Sequence, residues 1–566
     1  MARIVSRFHC VVSSAGDIAH MRPDQWPRCF PQLGSGWIFS DCGRFAVHLA
    51  ARAAADTRQR AFHLSIGQGE TADIVIDLAS DRLTIERGHL GRERVHFFQT
   101  DALTLLSNCL SDILHSVESR IHYGSALHYL AYGTPLPGQT LVNGVRSLAA
   151  GHALTLCPSV LPVQRRTFEL LSATEPVTPD PDQVTAIAAA VDAAILRSCE
   201  GPGRAALLLS AGVDSSYMAA VLGERVDTCY TSCFPDLDQA GEFEDASRFS
   251  RLTGRRHHPI PIRIADARQG LERVLAADEP KSAWSTIVHD LICQAAGSDG
   301  NSRLLSGLGA DEVFGGYFHY ARSFRDVWGE ALRIDPGGTR NPLDTVLGSP
   351  RSYRGRLFTG IPSFFDSRTL RRAVAPRLRH WDPYQSSVHF YREALTRKPD
   401  LHLFEAMIAH EAQHRIPDLL IAGFEAFSRD QGLASGYPFL DVDVMRKAAA
   451  LGAEMRFRHD AAEDRTWNKL LWREMAGRRL PDFVMARPPS AYDAPIHDWF
   501  ADRRFLDIIC DAISLQSLLD LDVLSRAWIE GFVDRLRAED RSTGMIEQAW
   551  VLATFGAWQD RMLDKG

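Results

Sequence analysis

The chain contains no Cys-x-x-Cys pair, and its ten cysteines are scattered, with Cys229 and Cys233 the nearest two. That spacing excludes the common zinc-site patterns and a disulfide framework, and it fits isolated thiols in a reducing compartment. No apolar run reaches the roughly 18 residues that a membrane-spanning helix needs. None follows the arginines at the N-terminus either, so no signal peptide is expected, no membrane is implied and the chain reads as cytoplasmic. Neither sign of charge dominates. With 63 Lys and Arg against 70 Asp and Glu, the net charge is −7, which argues against nucleic acid as a partner. Basic pairs such as Arg371-Arg372 and Arg478-Arg479 are short and read as solvated faces.

What is present is an ordinary globular composition, 45% hydrophobic and 23% charged, over 566 residues. That length is too great for one hydrophobic core, so two or more domains are expected. The run 172–182, rich in Pro, Thr and Asp, marks a boundary, and helix is expected from near Gln183.

Ala206-Leu207-Leu208-Leu209 reads as a short buried strand. The small-residue turn Ser210-Ala211-Gly212-Val213-Asp214-Ser215-Ser216 follows, then a helix from Tyr217 that ends at Gly223. Backbone N–H groups and hydroxyls converge at such a helix start. The macrodipole adds partial positive charge there, so the turn suits an anion. It is not a Walker loop, because no lysine follows the glycine. Asp214 is awkward beside bare phosphate and makes sense with a divalent cation between them. An ordinary strand-to-helix turn uses the same residue types, so this stretch alone leaves both readings open.

Further on, 226–234, 242–252 and 257–262 read as strand, helix and strand. Such alternation implies a parallel, doubly wound sheet with its ligand at the C-terminal ends of the strands. His257-His258 reads as a surface feature entering a strand, since no carboxylate or third ligand stands near it in sequence. The run Arg303-Leu304-Leu305-Ser306-Gly307-Leu308-Gly309-Ala310-Asp311-Glu312-Val313-Phe314-Gly315-Gly316-Tyr317 then repeats the arrangement of a buried strand opening into a loop with an acid. Two such loops, about 100 residues apart, allow Asp214 and Asp311 to meet over one triphosphate, with magnesium bridging them.

The first loop resembles the pyrophosphate loop of ATP pyrophosphatases, Ser-Gly-Gly-x-Asp-Ser-Ser, with Ala211 at the first of the two glycines. The second resembles Ser-Gly-x-Gly-x-Asp-Glu-x-Phe-Gly-Gly-Tyr of the asparagine synthetase family. Asp278-Glu279-Pro280, the run from Gly432-Leu433-Ala434 to Pro438-Phe439-Leu440-Asp441, Lys469-Leu470-Leu471-Trp472-Arg473 (resembling Lys-x-x-Leu-Arg, with Trp472 replacing the leucine), and a tail through Arg487 to Trp499 follow in family order. The resemblance implies an α/β ATP-pyrophosphatase (adenine nucleotide alpha hydrolase-like) synthetase domain over 183–566 that uses ATP and Mg2+. It implies that Leu208, Ser210, Ala211, Gly212, Val213, Asp214, Ser215, Ser216, Ser232, Ser306 and Gly307 take the nucleotide, and that Asp214 and Asp311 hold the metal. Lys469 is expected on a helix, stabilising the charge that develops as pyrophosphate leaves. Asp278, Pro280, Leu308, Gly309 and Ala434 are expected on the substrate side.

Residues 1–175 are strand-rich. The runs 62–66, 72–78, 82–87 and 94–98 read as strands, and helical pattern is read over 102–113 and 124–133. The run Gly144-Val145-Arg146-Ser147-Leu148-Ala149-Ala150-Gly151-His152 reads as strand–turn–strand. With the turn-rich residues before it, it resembles the end of the family's glutaminase domain, an α+β Ntn-hydrolase fold. That domain's nucleophile is a cysteine directly after the initiator methionine. Here residue 2 is Ala2, and Cys10 falls inside a strand-like run, so a degenerate, inactive glutaminase-like domain is expected.

Two departures bear on the second half-reaction. Asparagine synthetases carry Glu where this chain has Leu308. β-Lactam synthetases carry Tyr there, paired with a Glu where this chain has Ala434. An apolar side chain takes no proton from an amine. A peptide α-amine, with an unperturbed pKa of about 7.7–8.0, needs less help. The family members with an inactive N-terminal domain and a macrocyclic product are the lasso peptide cyclases, and the resemblance is strongest to these. The implied partners are a ribosomal precursor peptide and a leader peptidase. An ammonia-dependent asparagine synthetase (or a β-lactam synthetase-like amide ligase) and a non-catalytic scaffold binding nucleotide or peptide are the alternatives.

Overall fold

In the computed structural model the described residues are 82–563, apart from 115–116, 118–119, 158–159, 171–180, 238–239, 348–363, 461–464, 488–493 and 539–540, together with five strand segments within 8–78. Position 2, on which the glutaminase expectation turns, lies outside them.

Residues 8–166 supply two antiparallel sheets. One has six strands in the order β2 (Trp37–Phe39), β3 (Phe45–Leu49), β1 (Phe8–Ser13), β8 (Leu103–Ser107), β7 (His96–Gln99) and β9 (Val145–Ser147). The other has five, in the order β11 (Val160–Arg166), β10 (His152–Cys157), β6 (Leu83–Arg87), β5 (Ile74–Leu78) and β4 (Phe62–Ile66). Strand alternation turns Cys10, Val12, Val47 and Phe97 of the first sheet toward Ile74, Ile76, Ile85 and Leu154 of the second, in one shared core. Cys10 is fully buried there, and burial pushes its thiol up.

The helix expected over 102–113 is instead β8 followed by a short helix, Leu110–Leu114. Leu103-Thr104-Leu105-Leu106 is too short an apolar run to separate the two periods. Pairing decides it: Leu105 lies opposite Val11 of β1 on one side and Phe98 of β7 on the other. The second expected helix is Tyr123–Tyr132, closed by Gly133 in the left-handed region at φ 75°.

The C-terminal half holds a five-stranded sheet in the order β14 (Arg256–Pro261), β13 (Thr228–Cys233), β12 (Arg204–Leu208), β15 (Asn301–Leu305) and β16 (Ala434–Gly436), with every pair parallel. The chain runs outward from β12 through β13 to β14. It then returns to the far side of β12 to form β15. The direction of winding reverses between β12 and β15, which opens a crevice at their C-terminal ends. The loops bearing Asp214 and Asp311 leave from those two strands. The sheet is buried because its central strands are apolar: Ala206, Leu207, Leu304 and Leu305 have no solvent exposure.

The antiparallel sheets are tied to this half by charge pairs, Arg94 with Glu279 (3.5 Å), Arg429 with Glu93 (3.2 Å) and Arg87 with Asp418 (3.4 Å). Tyr129 also shares a hydrogen bond of 2.8 Å with Thr554. Desolvation works against the Glu279 carboxylate, but Arg94, His96 and Lys281 outweigh it and hold it down to about 2. No described helix is long and apolar enough to cross a membrane.

Candidate active site

β12 ends at Leu208, and after a tight turn the helix Val213–Leu222 begins. The helix therefore starts earlier than the apolar run from Tyr217 suggests. Gly212, extended at φ −68° and ψ 161°, precedes it, and Asp214, Ser215 and Ser216 form its first turn, where acids and hydroxyls are favoured. The turn is held from within: Ser215 Oγ accepts from Ser210 N at 3.1 Å and lies 3.2 Å from Ser210 Oγ, which accepts from Gly212 N at 3.3 Å. Ala211 sits at φ 54°, a left-handed conformation in a residue that carries a Cβ. Ser216 Oγ is buried with no hydrogen-bond partner among the described residues.

β15 ends at Leu305 and opens into the second loop. Gly307 abuts Asp214 so closely that a Cβ at Gly307 would lie 3.2 Å from the Asp214 Cβ. Gly309, at φ 101°, passes over Leu440, where a Cβ would come within 2.4 Å of Cγ. The helix Ala310–Phe314 then places Asp311 in its first turn.

Lys469 does not lie within a helix, as the motif implied. It follows the hairpin of β17 (Phe457–Asp460) and β18 (Arg465–Asn468), adopts φ 51°, and caps the helix Leu470–Gly477. Asn468 Nδ2 donates to the Gly316 carbonyl and pins this corner to the second loop. From there Lys469 Nζ bridges both acids, 2.7 Å from Asp214 Oδ2 and 2.9 Å from Asp311 Oδ1. Burial works against the ammonium, but the two carboxylates outweigh it and hold its pKa above that of an ordinary lysine. Desolvation, opposed by Lys469 and reinforced by Asp214, raises the Asp311 carboxyl to about 6. The Asp311 side chain nevertheless stays 37% exposed, so it is reached from the crevice. Two carboxylates against one ammonium leave one net negative charge at the switch point.

The other expected residues are placed as follows. Leu208 is the last residue of β12, and Ser232 is buried near the end of β13. Ser306 is buried and its Oγ accepts from Leu308 N at 3.2 Å. Leu308 packs, half-buried, against the core. Ala434 is buried and pairs with Arg303, so it lies level with the body of β15, upstream of Leu308. Asp278 and Pro280 are not brought to the acids by any described contact. Asp278 Oδ2 lies 3.4 Å from Cys109 Sγ, and its carbonyl accepts from Trp558. Pro280 lines a cavity with Arg94, Glu279, Lys281 and Asp418, none of which belongs to the lysine bridge.

Two residues at the site went unassigned in the sequence reading. Trp472 Nε1 donates to Asp214 Oδ1 at 2.7 Å. Arg487 donates from Nη1 to the Ser210 carbonyl at 3.2 Å and pairs with Asp245 at 3.4 Å, which sets a guanidinium beside the first loop. Trp472 was visible as a departure from the motif's leucine, but its hydrogen bond was not. The His257 ring bonds Ser247 and Thr231, and His258 faces Asp299 at 3.4 Å. Among the described residues no group of three His, Cys, Asp or Glu is arranged to hold a metal.

The donor set nonetheless fits a metal–polyphosphate pair. Asp214 and Asp311 offer hard oxygens, the second oxygen of Asp311 takes no bond among the described residues, and Ser216 leaves a buried hydroxyl unspent at the helix start. With only two carboxylates, the remaining ligands have to come from phosphate and water.

These features define an α/β protein whose site lies at the switch point of a parallel sheet. The chain belongs to the asparagine synthase family, whose profile matches residues 186–560. It is similar to putative glutamine-hydrolysing asparagine synthetases of Mycobacterium bovis and Mycobacterium tuberculosis, 25% identical over 423 residues. That match covers 70% of this chain, and the chain spans 62% of the length of those curated relatives.

Proposed function

We propose that this protein is an ATP-dependent, AMP-forming C–N ligase. The observation that carries the reading is the Lys469 bridge between Asp214 and Asp311 at the switch point. A substrate carboxylate attacks the α-phosphorus of ATP, forming an acyl-adenylate and releasing pyrophosphate. An amine then attacks the acyl carbon, forming the amide and releasing AMP and a proton. The start of the helix Val213–Leu222 takes the phosphates through backbone N–H groups, and Lys469 holds a positive charge where pyrophosphate develops its own. Asp214 and Asp311 would hold magnesium, which when bound would neutralise phosphate charge.

The finer reading is a lasso peptide macrocyclase. It adenylates an Asp or Glu side chain of a precursor peptide and joins it to the amine that a partner leader peptidase exposes. Leu308 and Ala434 support it, because neither can serve as a base for ammonia and neither adds charge on the acceptor side. The antiparallel sheets would then be a glutaminase-like layer without glutaminase chemistry, consistent with the buried Cys10. All eight cysteines among the described residues are free thiols, which supports a cytoplasmic setting. The printed names of the mycobacterial relatives favour a second reading, an asparagine synthetase.

Pyrophosphate release separates the readings. Release with aspartate and ammonium, yielding asparagine, overturns the cyclase. Release with a peptide that carries a free N-terminus and an acidic side chain, yielding a product lighter by one water, supports it. No release with any carboxylate overturns the ligase and leaves a binding scaffold.

A further inference from the structure

We infer that Trp472 is a positioning residue that fixes the Asp214 carboxylate through its indole N–H. The indole is fully buried and donates to Asp214 Oδ1 at 2.7 Å, while Lys469, at the cap of the same helix, donates to Oδ2 at the same distance. Each oxygen of Asp214 thus has its own donor, and the carboxylate plane is fixed from two sides. The ring touches both helices that carry the acids. It stacks on Phe314 of the Asp311 helix, with centroids 5.2 Å apart and planes at 15°. It meets Tyr217 of the Asp214 helix edge-on at 4.7 Å. Phe439 closes a third side at 5.1 Å.

An indole N–H is a donor only and carries no charge. It orients Asp214 without cancelling the net negative charge that two acids and one lysine leave. A second lysine or an arginine there would cancel the charge of those three groups and weaken the attraction for a divalent cation. A leucine, as in the family motif, would leave Oδ1 without this donor. Donors behind a ligating carboxylate set its orientation, and losing one weakens metal affinity about 10–100-fold.

The inference rests on the proposed adenylation reading only where turnover is measured. Cation binding is therefore read separately, by electron paramagnetic resonance of Mn2+ added to the full chain with a non-hydrolysable ATP analogue. Trp472→Phe keeps a ring in the stack and removes the N–H. It is expected to weaken Mn2+ binding about tenfold and to raise the KM for Mg2+ in pyrophosphate release, with the KM for the carboxylate substrate unchanged. Phe314→Leu removes the stacking and leaves the N–H. It is expected to lower the melting temperature while Mn2+ affinity stays within about twofold of wild type. Wild-type Mn2+ affinity in Trp472→Phe overturns the inference. So does a loss of about tenfold against wild type in Phe314→Leu, which would assign the effect to packing, and this arm stands even if Trp472→Phe fails to fold. A wild-type chain that binds Mn2+ but releases no pyrophosphate refutes the ligase reading and leaves this one intact.

Discussion

Gly316 is where the lysine bridge is most exposed to a one-carbon change. A Cβ at this position would lie 1.8 Å from Asp311 Oδ1 and 2.3 Å from Lys469 Cε. The backbone of Gly316 lies outside the left-handed region, so alanine meets no torsional objection and the effect is purely steric. To reach van der Waals contact the Asp311 carboxylate has to retreat by about 1.7 Å, since non-bonded heavy atoms settle near 3.5 Å. That movement breaks a bridge whose N···O distance is 2.9 Å. Overpacking of this kind costs about 1–3 kcal/mol of stability. A misplacement of about 1 Å in a reacting array costs about 100-fold in rate. Gly316→Ala is therefore expected to melt a few degrees lower and to release pyrophosphate about two orders of magnitude more slowly, as followed in a coupled phosphate assay. Gly329 is the control, because a Cβ there meets nothing within 4 Å among the described residues, on the exposed side of the helix Phe318–Ile334. Gly329→Ala should gain about 0.5–1 kcal/mol from helix propensity with no change in rate. Wild-type kcat and KM in Gly316→Ala would refute the bridge as the working centre.

Lys469→Met leaves two carboxylates facing each other without a counter-charge. Pyrophosphate release should fall at least 100-fold, by analogy with the loss of one charge-stabilising donor. The stability loss should sit at or below the lower end of the roughly 3–5 kcal/mol seen for broken buried pairs, because Asp311 is partly open; a variant with wild-type turnover removes Lys469 from the chemistry. Glu411, beside Arg415 (3.1 Å) and near Glu312, is raised by burial to about 7. Its folded value lies above the roughly 4.3 of an unfolded glutamate, so the stability it contributes is full below that value and is lost as pH rises through 7. Glu411→Gln should flatten that decline, with the difference between the two chains changing by up to about 1.4 kcal/mol per pH unit between the two values; parallel melting curves across pH would contradict it. Cys10, buried and with its thiol pushed up, should resist alkylation in the folded chain and react only after denaturation, as peptide mass mapping reads directly.

Local pattern was enough to locate both anion loops. Each follows a short apolar run that reads as a buried strand because a turn of small residues cuts it off, and Ser, Gly and Asp at its end are side chains with a direct relation to phosphate and metal. The parallel sheet was legible for the same reason, since strands alternate with helices through 204–305. The strand β8 was not, because Leu103-Thr104-Leu105-Leu106 is too short to show a period and only pairing with β1 and β7 settles it. The start of the helix at Val213 was missed by following the apolar residues instead of the polar first turn.

What the sequence determined by itself was the chemistry available at each loop, because residue type and spacing are local quantities. Which strands stand side by side is not local. The order that sets β15 against β12, the left-handed turn that swings Lys469 between Asp214 and Asp311, and the buried indole of Trp472 behind them all depend on contacts between residues more than 90 positions apart. Those contacts turn two separate acid loops into one charged cleft, and only the packed tertiary structure decides them.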